Sequence, residues 1–457
     1  MSGWAAFRPL RHRNFALVWS AALVSNVGTW METVAVGDLV AVRTGQAGWT
    51  GLVAAAGFLP MGLMGPIGGA IADRVDRRRF FIVITILQTM CASALALLAA
   101  TDHASPGAVV VVVFAAGCVS GIGFPAYTAM MPDLVPKEDL LGAVSLGQAQ
   151  FNLGRVIGPV LAGIAIAFGT YTAAFVINTI SFGAMIGALV LLRLLHQPSD
   201  DTTSLWARIR VGAAAVRAEP GVRAATGMIA AIALTASPFI ALIPAMARVH
   251  FHGGSSLTSI FVTAQGVGAV AGALIIPSVA ARFGRHRTLR AALVFLPVTL
   301  ILYGLAPTKL AATLALAGVG AGYIAVFSSL GTVVQLRAPM HLRARIISLY
   351  FLALGTLYPV GAVIQGPIGD RVGLGRVTWG AAVVLLVIVV AVQVFRPERI
   401  RALDDLDAYP SPLGDGDLQR RLPGGELADG HVDGEGPRPA DGHLDVATRP
   451  MGMARDL

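Results

Sequence analysis

The chain has 457 residues, of which 55% are hydrophobic and 13% charged, with a mean hydropathy of +0.72 and a formal net charge of +9. So little charge on so apolar a chain excludes an ordinary water-soluble domain. The alternating, strand-length segments of a membrane barrel are also missing.

Apolar stretches of bilayer-crossing length follow one another instead. Twelve spans are predicted, over 14–42, 49–72, 80–100, 107–131, 143–168, 171–195, 222–248, 256–281, 289–306, 309–331, 344–370 and 373–395. A crossing needs roughly 20 apolar residues. Backbone polar groups in lipid must be satisfied within their own segment, so the expected fold is an all-α membrane protein of twelve transmembrane helices. The spans form two six-helix halves, residues 1–195 and 223–395. Between them, 196–222 is a loop carrying Pro198, Ser199, Asp200 and Asp201. It continues as an arginine-bearing amphipathic stretch from Ser204 to Glu219, expected as a helix on the membrane surface. Residues 396–457 turn to Asp, Gly, Pro and Arg and predict a disordered tail.

Basic residues collect in alternate loops. Arg8, Arg11 and Arg13 precede the first span, and Arg74, Arg77, Arg78 and Arg79 follow the second. Arg208, Arg210 and Arg217 lie in the central loop, and Arg282, Arg285, Arg287 and Arg290 follow the eighth span. The opposite loops hold little besides Arg43, Arg248, Lys309, Arg371 and Arg376. The positive-inside rule therefore predicts both termini in the cytoplasm of a multi-pass cell-membrane protein. The net charge reflects that topology rather than a nucleic-acid partner. Arg8 to Arg13 lead into a full-length span and read as the start of a retained helix, not a cleaved signal. Cys91 and Cys118 each sit in a span, and no metal-ligand or disulfide spacing is present.

Charges within the spans are few: Glu32 and Asp38 in the first, Arg155 in the fifth, and Asp370 with Arg371 near the end of the eleventh. Such groups are costly in lipid and usually face a cavity or each other. Glu32 and Arg155 fall at similar mid-membrane depth and are expected to interact across a central cavity. Burial disfavours an ionised Glu32 while a neighbouring guanidinium favours it, and a carboxyl between those pulls can exchange a proton near neutral pH. Asp38 lies nearer the outer surface, where it is expected to be solvated. Asn26, Gln148, Asn152, Gln265 and Gln365 are polar candidates for the cavity lining, with Trp30, Phe58 and Tyr127 as apolar walls. A lining with few charges suits a bulky, lipophilic or cationic cargo.

The two halves repeat. Gly69-x-x-x-Asp73-Arg74-Val75-Asp76-Arg77-Arg78-Arg79 aligns with Pro277-x-x-x-Ala281-Arg282-Phe283-Gly284-Arg285-His286-Arg287. Pro136, Gly158 and Gly163 recur as Pro339, Gly361 and Gly366. Parallel six-helix repeats are a known transporter architecture.

Gly69 to Arg79 resembles the cytoplasmic loop signature of the major facilitator superfamily, with Asp76 where that signature has glycine. The resemblance covers 1–395 and implies that fold, with Asp73, Arg74, Arg77 and Arg78 serving as a conformational latch. Asp73 would face the N-terminal dipole of the eleventh span, and Arg74 and Arg77 would reach Asp133. In the fifth span, Gly154-x-x-x-Gly158-Pro159-x-x-Ala162-Gly163 is similar to the antiporter signature of exporting facilitators, with Ala162 in place of a glycine. Asn14, Trp19, Ser25, Asn26, Gly28, Trp30 and Asn152-x-x-Arg155 add a likeness to the branch of enterobactin exporters and macrolide or tetracycline efflux pumps.

The expectation is a monomeric, cofactor-free secondary transporter that exports a lipophilic drug-like compound or a siderophore against protons by alternating access. An importer or facilitator of a small metabolite is the alternative. No Gly-x-x-x-x-Gly-Lys-Ser/Thr loop is present to bind ATP. No metal cluster or nucleophile–base pair in the spans points to an enzyme, and the duplicated halves with a latch argue against a channel.

Overall fold

The computed structural model describes residues 5–72, 74–168, 170–192, 205–338 and 342–395. Asp73, the first part of the central loop and the tail 396–457 therefore lie outside the described residues. The described residues all belong to one compact unit.

The described residues are helical, with no strand among them. The first half comprises α1 (Arg13–Thr44), α2 (Ala47–Ala72), α3 (Arg77–Ala100), α4 (Pro106–Met130), α5 (Leu140–Phe168) and α6 (Tyr171–Leu191). The short α7 (Leu205–Ala218) falls in the central loop, within the stretch expected to be an amphipathic helix. The second half comprises α8 (Pro220–Thr235), α9 (Phe239–Ala245), α10 (Ser255–Phe283), α11 (Arg285–Gly304), α12 (Lys309–Arg337), α13 (Arg343–Val372) and α14 (Leu374–Phe395). Eleven of the described segments are long and apolar enough to cross a membrane. The 32-residue α1 makes the twelfth crossing, its hydropathy lowered by Arg13, Glu32, Asp38 and Arg43.

The seventh crossing is broken where the sequence suggested one span over 222–248. It runs through α8, α9 and a wider π-type turn, Met246–His250, which together span Pro220–His250. Pro238 ends α8's hydrogen-bond ladder by removing a backbone donor. The freed carbonyls of Leu234 and Thr235 accept from the Gln365 amide at 3.1 and 2.9 Å. A side chain from α13 thus repairs a break that would otherwise leave bare carbonyls in lipid.

Helix ends elsewhere follow local rules. Ser105 caps α4 ahead of Pro106, and Thr308 caps α12. Asp76 accepts from Arg79 N at 2.7 Å and so caps α3, which accounts for an aspartate where the loop signature has glycine. Gly284, the repeat's counterpart to Asp76, ends α10 at φ +87°, a left-handed conformation that favours glycine.

Packing repeats between the halves. α2 packs on α4 as α10 does on α12, α3 on α6 as α11 on α14, and α1 on α5 as α8 on α13. Large apolar side chains such as Met90, Ile180, Leu274 and Leu314 are exposed, as expected of a surface turned to lipid. Lipid is as apolar as leucine, so close backbone approach and polar bonds must hold such a bundle together. The two halves meet along a seam formed by α2 against α13 and α5 against α10. A Cβ on Gly366 would lie 2.7 Å from the Ala47 carbonyl oxygen, so the α2–α13 contact requires glycine there.

Candidate functional site

The seam is pinned at the end of the bundle opposite the start of α1 and the end of α14. Asp38, in the last two turns of α1, is fully buried. Its carboxylate accepts from Arg248 Nε at 2.8 Å and Nη2 at 2.5 Å, from Thr258 Oγ1 at 2.7 Å and from Tyr171 Oη at 2.8 Å. Ser255 also accepts from Arg248. Asp38 and Tyr171 belong to the first half, and Arg248, Ser255 and Thr258 to the second. The expectation that Asp38 is solvated is overturned: burial here is compensated by a bidentate guanidinium and two hydroxyls. At the same end, the Asp370 carboxylate on α13 accepts from the backbone N–H groups of Ala47 and Gly48 at 2.6 and 2.8 Å. It caps the first turn of α2 from across the seam, where the helix dipole favours an anion.

At mid-depth the charged groups separate. Glu32 and Arg155 form no ion pair, contrary to the expectation. Glu32 accepts from Asn178 Nδ2 on α6 at 2.7 Å, and Asn178 in turn contacts Ser181. Arg155 Nη2 donates to Gln265 Oε1 on α10 at 3.1 Å, and its guanidinium lies 5.6 Å from the Trp30 ring centroid. Trp30 also meets Phe151 edge-on, and across the seam Phe58 meets Tyr358 likewise, at 5.3 Å. Gln265 is buried, and its Nε2 has no hydrogen-bond partner among the described residues.

The glycines of the fifth span serve both sides of this layer. Cβ atoms on Gly154 and Gly158 would run into Asn26 and Trp30 of α1, and one on Gly163 into Ser259 of α10. Pro159 lies buried inside α5. The motif thus lets α5 touch α1 and the opposite half at once.

At the opposite end, where α1 starts and α14 ends, Arg77 donates to the Ala129 carbonyl at 3.1 Å and to Asp133 Oδ2 at 3.3 Å. Arg74 is exposed and does not reach Asp133. Arg78 Nε and Nη2 bind the carbonyls of Leu189 and Val190 at 2.6 and 2.7 Å, closing the C-terminus of α6. Gly69 sits where α2 runs past Pro125 of α4. Asp73 itself lies outside the described residues.

The remaining candidates disperse. Asn26 donates to the Phe151 carbonyl at 3.3 Å and acts as a contact between α1 and α5. Asn152 is half-buried on α5 near Arg155. Gln365 is occupied by the broken α8, and Tyr127 packs in a core of the first half beside Phe81. The Gln148 side chain is outside the described residues. Arg248, Tyr171, Thr258, Asn178 and Glu219 were not among the predicted site residues. Glu219 caps α8 and pairs with Arg337 at 3.0 Å. A signal for Arg248 was present, since it is one of few cations at the far end, but nothing in the sequence said which carboxylate it meets.

A family profile described as transmembrane secretion effector matches residues 4–422. The chain is 27% identical over 400 residues to the multidrug efflux pump Tap of Mycolicibacterium fortuitum, covering 85% of this chain and 96% of that protein. It is 22% identical over 404 residues to macrolide efflux protein A of Streptococcus pyogenes, covering 85% and 97%. A staphyloferrin A transporter of Staphylococcus aureus matches at 24% over 267 residues, covering 57% and 66%. Among solved structures, a nucleoside transporter superposes with TM-score 0.68 at 12% identity, covering 82% of this chain and 98% of that one. A D-xylose–proton symporter gives 0.67 at 13%, covering 84% and 98%. At such identities the structural likeness concerns the fold alone.

Proposed function

Since the chain belongs to the transmembrane secretion effector family of major facilitator transporters, we propose that it exports a lipophilic drug-like compound or a siderophore in exchange for protons, by alternating access. The efflux names of its relatives support export. The asymmetry of the seam supports a rocking mechanism. With the termini in the cytoplasm, as the arginine-rich loops indicate, the Asp38 cluster and the Asp370 cap close the pathway to the outside. Opening it requires both to break. On the cytoplasmic side Asp73, which is outside the described residues, would close the reverse state by capping α13, and Arg77 pairs with Asp133 at that end. On this reading Asp73 would do at one end what Asp370 does at the other, where it caps α2.

The observation that carries the proton coupling is Glu32. It is a carboxyl at mid-depth whose hydrogen-bond partner is the neutral Asn178 amide, with no cation paired to it among the described residues. An ionised carboxylate in that position is costly, and taking a proton removes the cost. Asp38 is committed to Arg248 and suits a clasp rather than a carrier.

The test is a cargo panel in inverted vesicles, with and without an inward-acidic proton gradient. Gradient-driven uptake of at least one lipophilic compound is expected, and Glu32→Gln should abolish the dependence on the gradient. Gradient-driven uptake unchanged in Glu32→Gln would remove Glu32 from the mechanism.

A further inference from the structure

We propose that the mid-depth seam around Arg155 is an acid-binding site, so that the cargo is an amphiphilic organic anion whose acid group pairs with the Arg155 guanidinium while its apolar part lies against aromatic rings. This rests on reading the seam as the cargo path.

An arginine held in the interior of a membrane protein is costly unless a counter-charge pairs with it. The two carboxylates of α1 are engaged elsewhere: Glu32 with Asn178, and Asp38 with Arg248, Tyr171 and Thr258. Among the described residues Arg155 instead has one neutral hydrogen-bond partner, Gln265, and the face of Trp30. Neither supplies a full negative charge.

Gln265 makes the second, independent case. Its oxygen is taken by Arg155, a donor-only side chain, and this sets the orientation of the amide. Its Nε2 is then left as a donor with no partner among the described residues, in a residue 1% exposed. A buried unpaired donor is expensive and calls for an acceptor. A guanidinium and an amide N–H₂ side by side, both donors and together one positive charge, match a carboxylate or a comparable oxyanion. They repel an ammonium group, which removes the cationic cargo expected from the sparse charge of the spans. Tyr323 and Tyr358 lie within electrostatic reach of Arg155 from the opposite half, and Tyr323 stacks on Phe327. The apolar part of such a ligand therefore meets rings from both halves, and binding would draw them together around one acid group.

Binding by the purified full chain is followed by fluorescence anisotropy with three probes of one skeleton: dansyl-aminohexanoic acid, its methyl ester, and the trimethylammonium analogue. The acid is expected to bind about tenfold or more tightly than either counterpart, the scale of one charge-assisted hydrogen bond. Arg155→Gln should erase that preference by weakening the acid while leaving the ester within about twofold. Arg155→Lys, which keeps the charge but loses the planar fork, should retain part of it. Should Arg155→Gln not elute as a folded protein, Gln265→Leu takes its place, with a several-fold loss for the acid alone expected. The inference is overturned if the wild type binds the acid no better than the ester or the cation, absence of binding included. It is also overturned if the substitutions weaken acid and ester equally. Flux separates it from the transport reading. An acid preference lost in Arg155→Gln, with none of the probes crossing vesicle membranes, would sink the cargo path and leave the acid site standing. Flux of all three without acid preference would do the reverse.

Discussion

Replacing Asp38 by Asn removes the charge on which Arg248, Thr258 and Tyr171 converge. Asn keeps one acceptor oxygen, so a hydroxyl can still be satisfied. Its amide nitrogen cannot accept, and one edge of the guanidinium loses its partner. Removing one member of a buried ion pair costs about 3–5 kcal/mol. The Arg248 side chain is 21% exposed and keeps Ser255 and Tyr171 as neighbours, so part of that cost is recovered. A loss of about 2–3 kcal/mol follows, borne by the state in which the cluster is assembled. At 1.36 kcal/mol per factor of ten, the balance moves roughly 30- to 150-fold toward the state open at the far end. The assay is a spin-label distance across the seam. Labels go on Gln46→Cys and His252→Cys, exposed positions in far-end loops of opposite halves, with Cys91 and Cys118 replaced by Ser. The distance distribution should gain a long component in Asp38→Asn. Arg43→Gln is the comparison. Its partner Asp102 belongs to the same half and is largely exposed, so no shift is expected there. A distribution unmoved in Asp38→Asn, or moved no further than in Arg43→Gln, would refute the idea that this cluster holds the halves together.

Asp370→Ala removes the cap on α2 and should shift the same label distance in the same direction by the equivalent of about 0.5–2 kcal/mol, and the effects of the two substitutions should combine. Gln365→Leu leaves the Leu234 and Thr235 carbonyls bare in the seventh crossing; a stability loss of about 1–3 kcal/mol should appear as a lower melting temperature in detergent. Gly158→Val places a side chain where even a Cβ would lie 2.6 Å from Trp30 Cβ, so α5 must part from α1. The expected cost is about 1–3 kcal/mol, read from thermal unfolding, with loss of any Arg155-dependent acid binding.

Which parts of this molecule were legible in its sequence has a physical explanation. The crossings were, because lipid demands an apolar run of fixed length and a backbone that satisfies itself, and both are local properties. The duplication was visible because the loop motif and the glycines of the fifth and eleventh spans recur at matching intervals. The reach of Arg77 to Asp133 was legible too, since both stand at ends of adjacent helices on one side of the bundle. The break after Thr235 was not, because the carbonyls it frees are satisfied by Gln365, on a helix 130 residues away. Nor were the partners of the intramembrane charges. Depth along a helix can be counted from the sequence, and it put Glu32 and Arg155 at one level. Rotation about the helix axis cannot, because it is set by packing against neighbours. Rotation turned Glu32 toward Asn178 and Arg155 toward Gln265, 110 residues away. It also aimed Asp38 into the seam at Arg248, 210 residues away. The sequence by itself determined a duplicated bundle of crossings with a handful of charges at known depths; the tertiary structure alone decided that Asp38 pairs with Arg248 while Glu32 and Arg155 meet no counter-charge among the described residues, since pairing depends on the direction a side chain takes across a contact between helices.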